Sequence, residues 1–214
     1  MPADRRLLAL AAPGRTARVA ILPTAARFSQ PLLAAENGVR HFAALGATST
    51  PLLLLDRADA ARSEILDQVA AADLLYVAGG DPVYLLETLR TTPAWATIHD
   101  RLRAGTLALA GSSAGAMVLG RRMWRPRQDD LVPALDLVPV VALPHHQPGQ
   151  DERVSRLRPH LEAGLCLLGL PEMAAAIWNG TAWEVAVAPL TCYTADGQVH
   201  TAAGEQLPLL PPAA

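Results

Sequence analysis

The residue most able to do chemistry is a serine. Residues Gly111-Ser112-Ser113-Ala114-Gly115-Ala116 satisfy G-x-S-x-G, the pattern of a nucleophile projected from a tight strand-to-helix turn. Strand and helix backbones approach closely at such a turn, so its neighbours must lack bulk. The turn also exposes the N–H of Ala114 at a helix start, where it can stabilise the oxyanion of a tetrahedral intermediate. Ser112 is the competing hydroxyl, but it lies before the centre of the turn. A serine hydroxyl needs a general base that can accept its proton near neutral pH. The adjacent histidines His145 and His146, at the end of the apolar run VVALP, offer two candidates.

Elements of the right type flank these residues. Short apolar runs at 18–23, 52–55, 74–78 and 106–110 alternate with helix-like segments at 30–45, 59–71, 83–90 and 94–104. Strands that are continuously apolar are buried on both faces, which indicates a parallel sheet covered by helices. The expected fold is therefore α/β: a three-layer, doubly wound, mainly parallel sheet. Gly79, Gly80, Ser113 and His145 all fall at carboxyl ends of strands, where such sheets bind ligands. Beyond residue 164 the pattern changes. Runs at 174–178 and 183–187 flank Asn179-Gly180, a hairpin turn signal, so added C-terminal antiparallel strands are expected. One domain over 1–214 is expected, with 207–214 a frayed proline-rich tail.

Composition narrows the function. Of 214 residues, 51% are hydrophobic and 18% charged, as in a globular protein with a large core. The formal charge of −2 gives no basis for nucleic-acid or anionic-membrane binding. All 18 basic residues are arginine, which removes a Ser–Lys dyad and a Schiff-base lysine. Cys166 and Cys192 lack metal-ligand spacing, and neither a metal nor a cofactor is expected. No apolar stretch has the length of a membrane span, no signal-peptide pattern opens the chain, and a cytoplasmic location is expected.

Four segments resemble the dipeptidase E and cyanophycinase family of serine peptidases, whose fold is flavodoxin-like and similar to class I glutamine amidotransferases. They are RVAILPTA (18–25), VAGGDPVYLLETL (77–89), AGSSAGAMVLG (110–120) and ALDLVPVVALPHH (134–146), the last followed by GLPE at 169–172. The resemblance implies that Ser113 is the nucleophile and His145 the general base, with His146 as the alternative. It implies an acid between nucleophile and histidine, for which Asp129 and Asp130 both stand available; Glu172 is a further candidate. It also implies an oxyanion hole from the N–H groups of Gly80 and Ala114.

The family's substrates are aspartyl dipeptides or the Asp–Arg polymer cyanophycin, so a small acidic peptide is the expected partner, with a homodimer as one possible assembly. A guanidinium binds carboxylate bidentately. In the arginine-rich segment after the histidines, Arg153 is the leading candidate, sharing a helix face with Arg156. Two departures from the family stand out. The chain opens where the family's first strand would already have passed, and Pro82 replaces a usual Gln or Asn. The first leaves a second reading, a non-catalytic binding or regulatory domain of the same fold. A glutamine amidotransferase would need cysteine where Ser113 stands.

Overall fold

The computed structural model describes residues 2–178, 183–187 and 189–202. The chain divides into two compact units, one spanning Ala3–Gly115 and the other beginning at Ala116.

The first unit opens with α1 (Pro2–Ala11) and β1 (Arg18–Leu22). There follow α2 (Pro31–Ala44), β2 (Thr48–Pro51), α3 (Ser63–Ala71), β3 (Leu74–Val77), α4 (Pro82–Leu89), α5 (Pro93–Arg103) and β4 (Ala108–Gly111). The four strands form one sheet in the order β2-β1-β3-β4, with every pair parallel. This is the strand order of flavodoxin-like sheets. Side chains alternate between the faces of a strand, and β1 shows both faces covered. Val19 and Ile21 pack with Phe42 of α2 and with α1, while Ala20 and Leu22, pointing the other way, are equally buried. The fold is thus α/β with a mainly parallel sheet, as expected.

The second strand departs from its expected position at 52–55. It lies at Thr48–Pro51, on the sheet edge, and among the described residues pairs only with β1. An edge strand tolerates exposed threonines and a proline, because one side of its backbone needs no partner. The leucines follow the strand with every second one inward: Leu52 donates its N–H to Ile21 O at 2.8 Å, and Leu52 and Leu54 are fully buried while Leu53 is exposed.

Helix α6 (Ala114–Leu119) carries the chain into the second unit. There β5 (Arg122–Arg125) and β6 (Asp130–Pro133) form an antiparallel hairpin. The strand β7 (Val140–Pro144) is followed by α7 (Glu152–Leu157) and β8 (Cys166–Leu170), and β7 pairs parallel to β8. Next come β9 (Ala175–Trp178), β10 (Trp183–Val187), β11 (Leu190–Thr194) and β12 (Val199–Ala202). β9 pairs antiparallel with β10, and β11 antiparallel with both β8 and β12. These are the added antiparallel strands. The Asn179-Gly180 turn and the 207–214 tail lie outside the described residues. Cys166 and Cys192 are buried free thiols in the apolar cluster of this unit. No helix among the described residues is long and apolar enough to cross a membrane.

Candidate active site

In the first unit, β4 ends at Gly111 and α6 starts at Ala114, so Ser113 occupies the turn between them. Its φ is +51°, in the left-handed region that non-glycine residues enter only when their surroundings hold them there. The hold is local. Ser112 donates its N–H to Val77 O at 3.0 Å, and Gly115 donates to Ser112 O at 2.8 Å. Two glycines around the serine are closely packed. A Cβ on Gly115 would lie 2.3 Å from Val77 O, and one on Gly79 would lie 3.0 Å from Cβ of Ser113. Gly79, just past the end of β3, therefore stands directly against the serine.

Gly80 has φ +144°, and a Cβ there would fall 2.1 Å from Ala25 O. Only glycine fits. The next N–H, of Asp81, bonds Ala25 O at 2.8 Å. Asp81 then caps α4, accepting from the N–H groups of Val83 and Tyr84 at 2.9 and 3.1 Å. Pro82 is the first residue of α4, where its fixed φ suits a helix start and its missing N–H costs nothing. The Ser112 side chain serves Tyr76 instead. Burial pushes the Tyr76 phenol up, and a hydrogen bond with Ser112 opposes that rise.

In the second unit, His145 follows β7 with φ +57° and an exposed ring. Its Nδ1 lies 2.5 Å from Oε1 of Glu172, just beyond the end of β8. A carboxylate oxygen accepts, so Nδ1 is the donor in this contact. His146 is different in kind. It is buried at 3% exposure, with Nδ1 at 2.8 Å from Asp151 Oδ2 and Nε2 at 3.0 Å from the Tyr193 hydroxyl. Both nitrogens are committed to interior partners. Gly169 on β8 makes room for it: a Cβ there would lie 2.4 Å from the ring.

The structure does not bring Asp129 or Asp130 onto His145. Asp130 is held by Arg125 through Nε at 2.7 Å and Nη2 at 2.5 Å, across the last register pair of the β5–β6 hairpin. Asp129, in the hairpin turn at φ +54°, accepts from Trp124 Nε1 at 2.9 Å and Arg156 Nη1 at 3.0 Å. These acids close a hairpin, and the carboxylate on the histidine is that of Glu172. The GLPE segment at 169–172 is the sequence signal that points to it.

Arg153 is also already engaged. Its Nε and Nη2 grip Asp151 at 2.7 and 2.5 Å, its Nη1 donates to Pro144 O at 3.0 Å, and its guanidinium lies over the Trp124 ring, 5.6 Å from the centroid. Burial alone would push the Asp151 carboxyl up; hydrogen bonds from Arg153 and His146 and the guanidinium charge outweigh this and bring it down to about 2. Arg156, half exposed, pairs with Asp129. Both arginines line a shallow polar hollow of about 270 Å³ beside His145, with Gln147 and Gln150. Among the described residues, no cluster of three or more His, Cys, Asp or Glu side chains could hold a metal ion.

Comparison with known proteins supplies the remaining context. The sequence profile of peptidase family S51 matches residues 2–184. A cyanophycinase of Trichormus variabilis is 28% identical over 210 residues, covering 89% of this chain and 70% of that protein. An uncharacterized peptidase of Listeria innocua is 31% identical over 141 residues, covering 60% of this chain and 64% of its own length. The crystal structure of a peptidase from an acI-B1 Actinobacterium superposes with a TM-score of 0.79 at 27% identity, covering 95% of this chain and 88% of that one.

Proposed function

The chain belongs to peptidase family S51 and is a peptidase-type hydrolase, and from that premise we propose a serine mechanism with Ser113 as nucleophile, His145 as general base and Glu172 as the acid behind the histidine. One observation carries the reading: Ser113 is held at φ +51° between β4 and α6 with Gly79 against it. A serine placed merely to start a helix has no need of the left-handed region. Backbone strain of this kind collects where a side chain must be aimed.

In the proposed reaction, His145 Nε2 takes the hydroxyl proton as Ser113 Oγ attacks the scissile carbonyl. Glu172 keeps the imidazole in the tautomer that can accept, and stabilises the imidazolium that forms. The N–H groups of Gly80 and Ala114 receive the developing oxyanion. The proton passes from His145 to the leaving amine, and an acyl-enzyme remains on Ser113. Water, activated by the same histidine, releases the acid product.

The substrate is proposed to be a small peptide carrying an acidic group, the class suggested by the cyanophycinase relatives. Arg153 is the cation expected from the sequence, but its guanidinium already serves Asp151 and Pro144. Arg156, on the same hollow, is the better-placed arginine. The test is hydrolysis of matched Asp-, Asn- and Leu-initiated dipeptides by wild type, Ser113→Ala and Arg156→Ala, with thermal melts alongside. Ser113→Ala should lose activity by several orders of magnitude at an unchanged melting temperature. Equal rates in wild type and Ser113→Ala would remove the mechanism. No preference for Asp over Asn in wild type would remove the acidic substrate.

A further inference from the structure

Resting on the reading of His145 as the base, we infer that Asp151 is a positioning residue for that histidine, one carboxylate that anchors both Arg153 and His146 and so fixes the backbone on either side of His145.

The geometry exceeds what a helix cap requires. As N-cap of α7, Asp151 needs only the bond it accepts from Arg153 N–H, at 3.1 Å. It accepts three more, from Nε and Nη2 of Arg153 and from Nδ1 of His146. Its side chain is 6% exposed. A carboxylate so buried is tolerated only when charge and hydrogen bonds replace the water it has lost. Here four donors do so, and two of the groups they belong to reach His145.

Before His145, Arg153 Nη1 donates to Pro144 O at 3.0 Å, and Nη2 approaches His145 O at 3.5 Å. After it, the His146 ring is locked between Asp151 and the Tyr193 hydroxyl. The His146 N–H meanwhile bonds Leu170 O at 3.1 Å, two residues before Glu172. Between these anchors, His145 holds φ +57°. A residue in that region relaxes to extended backbone once the restraint goes, and the relaxation would swing the ring off Glu172. Arg153 thereby holds the base through the main chain.

The test follows the low-field proton of His145 Nδ1 by NMR, assigned as the resonance lost in Glu172→Gln, together with kcat and KM. Wild type, Asp151→Asn and Arg153→Gln are compared, with folding checked by circular dichroism. Both Asp151→Asn and Arg153→Gln should broaden or lose the resonance and lower kcat by about 10–100-fold for every substrate, with KM changed by less than about threefold, since small misplacement of a catalytic group costs this much. A purely structural carboxylate would lower only the melting temperature; an intact resonance and wild-type kcat in folded variants overturn the inference. If Asp151→Asn does not fold, Arg153→Gln decides, because it leaves the Asp151–His146 bond in place. The resonance is read without substrate. A wild type that shows it yet hydrolyses nothing therefore counts against the serine mechanism alone, while a wild type without it counts against the positioning of His145.

Discussion

Glu172 Oε1 lies 2.5 Å from His145 Nδ1, and the pair comes from the ends of two parallel neighbouring strands. β7 and β8 run in register, with Pro144 opposite Leu170. The residues that follow each strand are consequently brought side by side. An exposed ion pair contributes little to stability, and both side chains here are more than half exposed. The value of the contact is orientation.

From this follows the first prediction. Glu172→Gln should lower kcat by roughly 10²–10⁴-fold, because an amide can hold the imidazole in the wrong tautomer. Asp129→Asn and Asp130→Asn should stay within about threefold of wild type, since losing a surface ion pair has small effects. Steady-state kinetics on the three variants decides which carboxylate acts. A large loss in Asp130→Asn with none in Glu172→Gln would reverse the assignment.

Gly80→Ala should destabilise the protein by about 2–5 kcal/mol, combining strain in a glycine-only region with overpacking. The added Cβ would sit 2.1 Å from the Ala25 carbonyl oxygen, and backbone cannot yield as a flexible side chain can. Gly79→Ala meets the Ser113 Cβ at the tighter edge of contact, 3.0 Å. It should cost less stability and a larger share of activity. Urea unfolding and kcat, measured on both, separate the two effects; a Gly80→Ala protein as stable as wild type would refute the geometry.

Acid should unfold the protein through two buried carboxylates. Asp73 is held below the usual range first by hydrogen bonding to Arg15, which outweighs burial, and further by Arg18. Asp151 is lowered to about 2, burial being outweighed by Arg153 and His146. A carboxylate whose folded-state value is depressed contributes stability above its unfolded value of about 4, and that contribution is lost as pH falls. For Asp151 the loss runs from about pH 4 down through about 2. Urea midpoints between these limits should fall steeply in wild type and more shallowly in Asp151→Asn. A wild-type midpoint that does not change with pH in this range would contradict the linkage.

The serine turn is legible in the sequence because its causes are local. An apolar strand, a run of small residues and a helix start occupy consecutive positions from 108 to 119. The glycine pair is legible for the same reason. The carboxylate on His145 is legible only as one of three candidates, because Glu172 reaches His145 through the pairing of β7 with β8, a relationship across 27 residues. Arg153 reads as available because the sequence does not show the burial of Asp151, which it grips. The displaced β2 shows the same limit, since an edge strand need not be apolar.

Ser113 as nucleophile is tested by covalent labelling with a serine-reactive fluorophosphonate, followed by peptide mapping of the modified residue. Stoichiometric modification of Ser113 is expected in wild type, with none of Ser112 and loss of labelling in both Ser113→Ala and His145→Ala. Modification of Ser112, or a folded wild type that remains unlabelled, would contradict that role.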